Sequence, residues 1–447
     1  MKLYAPWEKV FEKISTPFEH FIRAQTTTGK LLMFMTILAL ILANTPLTEN
    51  YAQLFQTKID LNIGSWKLSH SIHYWINDGL MTLFFFMIGL EIKREVLVGE
   101  LSNIKVASLP IMAAIGGMVF PALIYLSLNA NDIGSGGWGI PMATDIAFAI
   151  SVLALLGKRI STALVTFLVA LAIVDDLGAI LVIAIFYTDQ IHLAPLALSS
   201  VAFLILVIFN RFGIHAVLPY FVMTTLMWFF VFESGIHATI TGVIAAMTIP
   251  LKPKQTSSSL SKETKKLMAE YDKYPQCEDY MLHENQKAIL INLQDKIDAV
   301  SSPAARLEHS LHLPVALIVI PLFALVNAGI AIDFNSIGTV IIEPISMGII
   351  LGLVVGKIVG IFGVSWLAVK LKIAKLPSKS SMSQIFGIAL LGGIGFTMSI
   401  FIADLAFLQN PELIFQAKVG ILLASLFAGL SGFLWLKYVA VINRPSH

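Results

Sequence analysis

Four charged residues stand inside stretches of the sequence that are otherwise apolar. Asp175 and Asp176 are adjacent in LVALAIVDDLGAI, Lys357 lies in LGLVVGKIVGIF, and Asp145 lies in GWGIPMATDIAFAI. A charge at the centre of a bilayer costs about 2.5–3.5 kcal/mol even on the lenient insertion scale. One lysine against three aspartates leaves excess negative charge, which favours a site that binds a cation or protons. The simpler alternative, an ion pair that only locks two helices together, would use a single carboxylate.

The two adjacent aspartates cannot both face the same partner. Neighbouring positions on an α-helix point about 100° apart. One division of roles pairs one carboxylate with Lys357 and leaves the other facing an aqueous cavity.

The composition indicates what kind of protein must hold these charges. Of the 447 residues, 57% are hydrophobic and 13% are charged, against about 25% charged in an ordinary soluble domain. These figures exclude a soluble globular enzyme and a disordered chain. A formal net charge of +2 excludes binding to nucleic acid, and the single cysteine, Cys277, excludes a disulfide framework or a cysteine-based metal site. The sequence therefore predicts an all-α polytopic membrane protein with no cofactor and no obligatory protein partner.

Twelve apolar runs are long enough to cross a bilayer, which needs about 20 residues. The seventh and eighth are the least distinct, because only Glu233-Ser234-Gly235 separates them. The predicted spans are 31–45, 73–93, 106–128, 135–157, 161–187, 193–210, 213–231, 234–250, 313–332, 344–371, 383–407 and 412–440.

The basic residues predict the orientation of these spans. An even number of spans places both termini on one side, and 26 of the 30 lysines and arginines fall on that side or at its span ends. The loops of the opposite side hold only Lys58 and Lys67. Because cytoplasmic loops are enriched in basic residues, we expect both termini to be cytoplasmic.

Four segments lie outside the predicted membrane region. Residues 1–30 are interpreted as an interfacial amphipathic helix, with a frayed tail as the alternative, and residues 441–447 as a cytoplasmic tail. Residues 57–69 alternate polar and apolar on both sides of Gly64-Ser65, which predicts a β-hairpin. An isolated hairpin is marginal in water, so we expect it to pair with a second copy; the alternative is a hairpin lying on its own membrane domain.

The fourth external segment, residues 251–312, is a charged cytoplasmic loop between the transmembrane regions 31–250 and 313–440. It holds 18 of the 58 charged side chains of the chain. Its apolar periodicity lasts for about one and a half heptads, which is too short for a coiled coil and favours a single amphipathic helix.

Two predicted spans are interrupted by glycine and proline. In the fourth span Gly139 and Pro141 precede Thr144-Asp145, and in the eleventh Gly393 and Gly395 precede Thr397. These are the middle members of spans 3–5 and 10–12, which run in opposite directions and would form inverted repeats. Broken helices expose ends with about half a unit charge, so Asp145 could offset positive ends and Lys357 negative ends.

Several long motifs resemble the NhaA family of sodium/proton antiporters, over nearly the whole chain outside 252–305. They are WINDGLMTLFFFMIGLEIKRE (75–95), PMATDIAFAI (141–150), LAIVDDLGAI (171–180), SGIHATITGV (234–243), RLEHSLH (306–312), PLFALVNAG (321–329) and LLGGIGFTMSIFIADLAF (390–407). The resemblance implies twelve helices with broken, crossing spans 4 and 11, a homodimer contact at the periplasmic hairpin, and the bacterial inner membrane.

The resemblance also implies roles for individual residues. Asp176 would be the main cation ligand, and Asp175 its proton-carrying neighbour, ion-paired with Lys357. Asp145 and Thr144 would lie where the broken helices cross. The residues implied at the periphery are Asp78 as an accessory carboxylate, the pH-controlled cytoplasmic entrance Glu91, Arg94, Glu95, Glu308, His309 and His312, and His237 in the pH response.

Two features depart from the family pattern. The loop 252–312 is longer and more charged, which leaves its role open. Asp404, near the outer end of span 11, stands where a small polar residue is expected, and we interpret it as a solvated helix end.

The expected function is electrogenic, pH-regulated exchange of cytoplasmic Na⁺ or Li⁺ for external protons. Histidines, with an ordinary pKa near 6.5, suit control around neutral pH. A sodium-coupled symporter of a small organic solute is the alternative. An intramembrane aspartyl protease is disfavoured because the chain has no Gly-Asp dipeptide, and a channel because the acids are clustered rather than arranged in a ring.

Overall fold

The protein is described by a computed structural model. The described residues are 25–63, 66–130, 133–157, 160–188, 191–255, 257–274, 284–331, 337–408 and 410–439. Most of the predicted interfacial helix 1–30, the hairpin turn Gly64-Ser65, Cys277 and the predicted tail 441–447 lie outside these residues.

The chain divides into two compact units. Unit 1 comprises Met1–Phe84, Glu95–Gln190 and Leu313–His447, and unit 2 comprises Phe85–Arg94 and Ile191–His312. Two long helices, α3 and α12, have parts in both units.

The helices of unit 1 are mostly long and apolar, and a two-stranded sheet precedes α3. They are α1 (Gln25–Ala43), α2 (Thr48–Gln56), α3 (Ile72–Leu97), α4 (Ile104–Asn129), a 3₁₀ helix (Ile133–Met142), α5 (Ile146–Ala154), α6 (Thr162–Phe186), α12 (Pro303–Asn327), α13 (Ile337–Ile342), α14 (Pro344–Lys370), α15 (Met382–Leu391), α16 (Phe396–Ala406) and α17 (Pro411–Val439).

Unit 2 contains the stretch Phe85–Arg94 of α3, the start of α12 and five further helices. These are α7 (Leu193–Arg211), α8 (Val217–Glu233), α9 (Ile240–Thr248), α10 (Ser257–Tyr271) and α11 (Glu284–Val300). The core of this unit is apolar and includes Leu90, Leu206, Tyr220, Met227 and Ala245.

The polytopic membrane architecture is confirmed. Eight described helices are long and apolar enough to cross a membrane, and two bent helix pairs could add one span each. Every predicted span coincides with at least one helix. The seventh and eighth match α8, with 17 residues, and α9, with nine. Both are shorter than the 18 residues of a clear span, so the number twelve stays a prediction.

Sequence signals at helix starts explain where several helices begin. Asn103 accepts a hydrogen bond from the Lys105 N–H at the start of α4, and Ser161 accepts one from the Leu164 N–H at the start of α6. Ser381 and the Gln384 side chain form a reciprocal capping box at the start of α15. These side chains satisfy N–H groups that the first turn of a helix leaves without partners.

The predicted hairpin is present. Strands β1 (Lys58–Ile63) and β2 (Trp66–Ser71) pair antiparallel, with Ile63 opposite Trp66. That register leaves two residues for the turn, as alternation around Gly-Ser predicts.

The prediction of one helix in the loop 252–312 is wrong, because two helices, α10 and α11, are present there. Lys296 of α11 forms an ion pair with Glu263 of α10, with 2.9 Å between Nζ and Oε2. The sequence of the first helix, SSSLSKETKKLMAEY, has few apolar residues, and the amphipathic pattern that they form was missed.

Candidate ion-binding site

Two interruptions of helical structure meet inside unit 1. Residues 143–145 are extended between the 3₁₀ helix and α5, and residues 392–395 separate α15 from α16, which are bent by 45°. The Asp145 N–H donates to the Ile394 carbonyl at 2.6 Å, and the Ser399 hydroxyl donates to the Ile140 carbonyl at 2.8 Å. Backbone groups freed by one interruption therefore find partners at the other.

The glycines around the interruptions differ in what they do. Gly139 and Pro141, predicted as breaks, lie inside the 3₁₀ helix, and the interruption follows them. Gly393 lies within its interruption, where a Cβ atom would stand 2.5 Å from the Leu353 carbonyl oxygen. Gly395 is the residue before α16. The fourth span is thus a 3₁₀ helix joined to a short α-helix, since its glycine-rich half has little α-helical propensity.

Asp145 joins two helix N-termini. Its carboxylate accepts a hydrogen bond from the Phe148 N–H of α5 at 2.9 Å. It also accepts bonds from the Thr397 N–H and hydroxyl of α16, at 3.1 and 2.5 Å. The residue is only 2% exposed. A buried carboxylate in this position offsets the partial positive charges at both helix starts.

Lys357 occupies the complementary position among carbonyl groups. Its Nζ donates to the Met142 carbonyl, to Thr144 Oγ1 at 2.9 Å and to Asp175 Oδ2 at 2.8 Å. The Thr144 hydroxyl in turn donates to the Gly392 carbonyl at 2.9 Å, at the end of α15. Lys357 therefore lies where helix C-terminal ends bring partial negative charge, and its three donors all have acceptors.

Asp175 and Asp176 are both enclosed, each with 1% of its surface exposed. Asp175 Oδ1 is buried and accepts no hydrogen bond from the described part of the chain. Asp176 interacts electrostatically with Lys357, whose direct ion pair with Asp175 is described above. Helix geometry alone left open which aspartate pairs with Lys357, whereas the family resemblance implied Asp175, and in this structure it is Asp175.

The expectation that the second carboxylate faces an aqueous cavity is not met in this conformation. A cavity of about 660 Å³ lies between the starts of α4 and α6 and the segment after α14. It reaches α6 at Ala170 and is not lined by Asp175 or Asp176. The side chains packed around the two aspartates close the site to water.

The backbone that carries Lys357 is itself irregular. Two π-helical stretches, Gly352–Gly356 and Ile358–Gly363, lie on either side of it in α14. Gly360 packs against Gly116 of α4 so closely that a Cβ on Gly360 would stand 2.2 Å from the Gly116 carbonyl oxygen. π-Helical turns are rare and are frequent at functional sites. The tight α4–α14 contact fixes the depth at which Lys357 enters the site.

The sequence did not identify Thr397 as a site residue, although among the described residues it is the only residue of α16 whose side chain bonds Asp145. Its position directly after the glycine run GGIG was the available signal, because hydroxyl residues are frequent at helix starts. It also missed the buried amide pair Asn77–Asn327, with N–O distances of 3.1 and 2.8 Å. Asp78, the next residue, is half-buried in a π-helical turn of α3, and in the described residues no hydrogen bond or ion pair joins it to Lys357.

The interpretation of Asp404 as a solvated helix end is wrong. Its Oδ1 lies 3.0 Å from Lys418 Nζ of α17, and both side chains are only 13% exposed. The pairing was missed because the two charges were considered one at a time, rather than as opposite charges at similar depths in consecutive spans.

Part of the predicted cytoplasmic entrance comes together in unit 2. Arg94 Nε and Glu308 Oε1 are 3.1 Å apart, and their side chains are 43% and 23% exposed. His309 and His312 are exposed on α12, and Glu91 is half-buried on α3. A distant His237 precedes α9, whereas Lys93, next to Arg94, donates to the Met247 carbonyl at the other end of that helix.

Glu95 belongs to unit 1 and has a local role. Its carboxylate accepts a hydrogen bond from the Glu100 N–H at 3.0 Å, in the turn between α3 and α4.

Comparisons with known proteins agree with this architecture. Residues 19–436 match the family model described as Na+/H+ antiporter 1. The Na⁺/H⁺ antiporter NhaA of Sulfurimonas denitrificans is 66% identical over 98% of this chain and 99% of its own. Antiporters NhaA 1 of Saccharophagus degradans and NhaA of Dichelobacter nodosus are 50% and 45% identical, over 96% and 97% of this chain and 93% and 94% of theirs. The chain belongs to the Na⁺/H⁺ antiporter 1 family.

Proposed function

We propose that this protein is a secondary antiporter that exports Na⁺ or Li⁺ from the cytoplasm in exchange for external protons. The observation that carries the proposal is the buried Lys357–Asp175 ion pair beside Asp176, at the meeting of two interrupted helices. The family and the identity of relatives named as Na⁺/H⁺ antiporters support it.

The charges of the site favour an exchange between a cation and protons. Three buried aspartates face one buried lysine, so the site carries excess negative charge when all four groups are ionised. A low-dielectric interior stabilises such a site only when a cation or protons neutralise it. Carboxylate oxygens and carbonyls of unwound backbone are suitable ligands for Na⁺.

We assign Asp176 as the main ligand of the transported cation and Asp175 as its neighbour that carries a proton. Asp175 is bound to Lys357, so a cation that recruits Asp175 must compete with the lysine for the carboxylate. Protons compete with the cation for the same oxygens. Asp145 and Thr144 hold the interrupted backbone around the site and keep its helix ends neutralised.

Transport requires that the enclosed site opens in turn to each side. The interruptions in the fourth and eleventh spans supply backbone that can rearrange without breaking a continuous helix. Spans 3–5 and 10–12 would move as inverted repeats. Two protons exchanged per cation would make the cycle electrogenic, so that a membrane potential could drive it.

We place the pH control of this cycle at the cytoplasmic ends of α3 and α12. The half-exposed Arg94–Glu308 pair and the exposed His309 and His312 are charged or titratable groups that cytoplasmic water reaches. Glu91 and Glu95 belong to the same end of α3. His237 contributes to the pH response from the segment before α9.

We further propose a homodimer joined through the hairpin, in the inner membrane of a bacterium with both termini cytoplasmic. The support is that β1 and β2 form a sheet of only two strands in the described residues, so both edges have backbone groups that a second copy can pair. Removing residues 58–71 should shift the size of the purified protein from dimer to monomer, and an unchanged size would exclude this contact.

Dissipation of a pH gradient in everted membrane vesicles tests the function. The host lacks its own Na⁺/H⁺ antiporters, and Na⁺, Li⁺ and K⁺ are added separately at pH about 6 and about 8, which bracket histidine titration. We expect Na⁺ and Li⁺ to dissipate the gradient with the wild type and to have no effect with Asp176→Asn. Glu412→Gln, at an exposed acid at the start of α17, is the matched control and should behave as wild type. A fully active Asp176→Asn variant would contradict the assigned site.

A further inference from the structure

A second group of polar side chains, two of them buried and three half-buried, lies in unit 1, apart from the Lys357 site. It consists of His73 and Asn77 of α3, Asn327 of α12, Asp404 of α16 and Lys418 of α17, and is called the outer cluster below. His73 interacts with the Asn327 side chain and, electrostatically, with Asp404 and Lys418. Asn77 and Asn327 exchange two hydrogen bonds, and Asp404 and Lys418 form an ion pair.

All five side chains lie toward the end of the unit that carries the hairpin. His73 is the second residue of α3, directly after β2, and Asn327 is the last residue of α12. Asp404 is two residues before the end of α16, and Lys418 lies in the first third of α17. In the orientation proposed above, this is the external side of the membrane.

Enclosing these polar and charged side chains costs free energy, and this cost favours a functional role for the cluster. Asn77 and Asn327 are 8% and 1% exposed, and the side chains of the ion pair are 13% exposed. Charged residues inside membrane segments are costly and usually mark the pathway of an ion or a proton. An apolar pair of similar size would join the same helices without this cost.

The histidine distinguishes this cluster from an ion pair that only holds two helices together. Lys418 and Asp404 cancel each other's charge. The net charge of the cluster therefore depends on whether the His73 imidazole carries a proton. Asp404 Oδ2 is buried and accepts no hydrogen bond from any described residue, which leaves it available to a protonated imidazole. Tyr51 of the neighbouring α2 is already engaged, since its hydroxyl donates to the Leu325 carbonyl.

We propose that the outer cluster is a proton-binding site, at which a proton from the external side is held on the His73 imidazole before it passes to the carboxylates of the Lys357 site. Asp404 is the counter-charge of the imidazolium, and Lys418 sets how tightly the proton is held. Asn77 lies one helical turn beyond His73 on α3 and is followed by Asp78, which places the cluster next to a further carboxylate. The direction of proton movement rests on the proposed antiport.

Two variants of the ion pair separate this proposal from a structural role, because they should act in opposite directions. Asp404→Asn removes the counter-charge of the imidazolium, so the cluster should hold its proton more weakly. Lys418→Met removes a repelling cation, so the proton should be held more tightly. A nearby charge typically changes proton affinity by about one pH unit or more. Both variants break the same ion pair, so a purely structural role predicts changes of the same sign.

The test uses right-side-out membrane vesicles loaded with radioactive Na⁺ at fixed internal pH, with the initial rate of Na⁺ efflux measured against external pH. We expect the external pH at which efflux falls by half to move by about one unit to acid for Asp404→Asn and to alkali for Lys418→Met. His73→Gln should also move it to acid. His70→Gln is the matched control, because His70 stacks on Tyr74 at 4.4 Å and is not part of the cluster.

The outcomes distinguish this inference from the proposed function. Wild-type vesicles without Na⁺ efflux coupled to external protons would overturn the antiport itself. Coupled efflux in the wild type, with unshifted or equally shifted profiles in the two ion-pair variants, would overturn the outer cluster alone. Rates are divided by the amount of protein in the membrane. Because His73→Gln leaves the ion pair in place, an unchanged profile in that variant also overturns the proposal, even if the ion-pair variants fail to accumulate.

Discussion

Two lysine–aspartate pairs lie in unit 1, one fully buried and one half-buried, and their surroundings differ. Lys357 and Asp175 are 2.8 Å apart with side chains 0% and 1% exposed, whereas Lys418 and Asp404 are 3.0 Å apart with both side chains 13% exposed. The first pair adjoins a further aspartate and two helix interruptions. The second joins the end of α16 to an uninterrupted part of α17 and adjoins a histidine.

The difference shows that a buried ion pair does not by itself make a transport site. Two features are present at Lys357 and missing at Lys418: uncompensated negative charge, and backbone carbonyls freed from helical hydrogen bonds. Both suit a cation that exchanges with protons. At Lys418 the charges balance, and the nearby His73 imidazole can add a positive charge.

The largest difference between the pairs should appear when each lysine is removed. Lys357→Ala removes the cationic partner of the buried Asp175, and breaking a buried pair costs about 3–5 kcal/mol of unfolding free energy. Thermal unfolding in detergent measures the loss, and transport against pH should change in the same variant. Lys418→Ala is the matched control with the smaller expected loss. Equal melting temperatures for Lys357→Ala and wild type would contradict the role of the pair in stability.

The close contact behind Lys357 should be the next most sensitive. A Cβ on Gly360 would stand 2.2 Å from the Gly116 carbonyl oxygen, so Gly360→Ala should force α4 and α14 apart at a cost of about 1–3 kcal/mol. Gly363→Ala, with open space around its Cβ position, serves as the control. The melting temperatures of the two variants are compared, and similar values would mean that α4 and α14 are packed less closely than described.

A double-mutant cycle on Asp404→Asn and Lys418→Met should give a smaller coupling. We expect about 1–2 kcal/mol, between the values for exposed and fully buried pairs, because both side chains retain some contact with solvent. Melting of the two single variants and the double variant provides the cycle. A coupling near zero would show that Asp404 and Lys418 do not stabilise each other, and would exclude the ion pair as part of the outer cluster.

The smallest effect should come from the surface pair of unit 2. Arg94→Gln removes a partner from a half-exposed ion pair, which is worth less than about 1 kcal/mol and is screened by salt. We expect an unchanged melting temperature and a shifted dependence of transport on cytoplasmic pH. A large loss of stability would show that Arg94 has a structural role instead.

Much of this arrangement could be predicted from the sequence, because membrane burial makes each charge conspicuous. Asp145, Asp175, Asp176 and Lys357 stand out among apolar neighbours, and the glycine runs indicate where the helices are interrupted. The hairpin followed from alternation around Gly-Ser. These signals are local in the sequence, so no knowledge of the packing was needed.

The missed features depend on contacts between distant segments. No local pattern around Asp404 indicates that Lys418 is its partner. The reciprocal hydrogen bonds of Asn77 and Asn327 join residues that are 250 positions apart. The extent of the 3₁₀ helix depends on the packing of Gly137 and Gly139 against Tyr125 and Tyr187. The helix α10 was missed because its apolar residues are few, although they follow helical spacing.

Competition between Na⁺ and protons at Asp175 and Asp176 is the central claim, and proton release on Na⁺ binding tests it most directly. Na⁺ is added to the purified protein in weakly buffered detergent solution, and the change in pH is recorded with an indicator dye. We expect the wild type to release protons on addition of Na⁺ or Li⁺, and the Asp176→Asn variant to release none. Na⁺ binding without proton release by the wild type, or the same release from Asp176→Asn, would contradict the account.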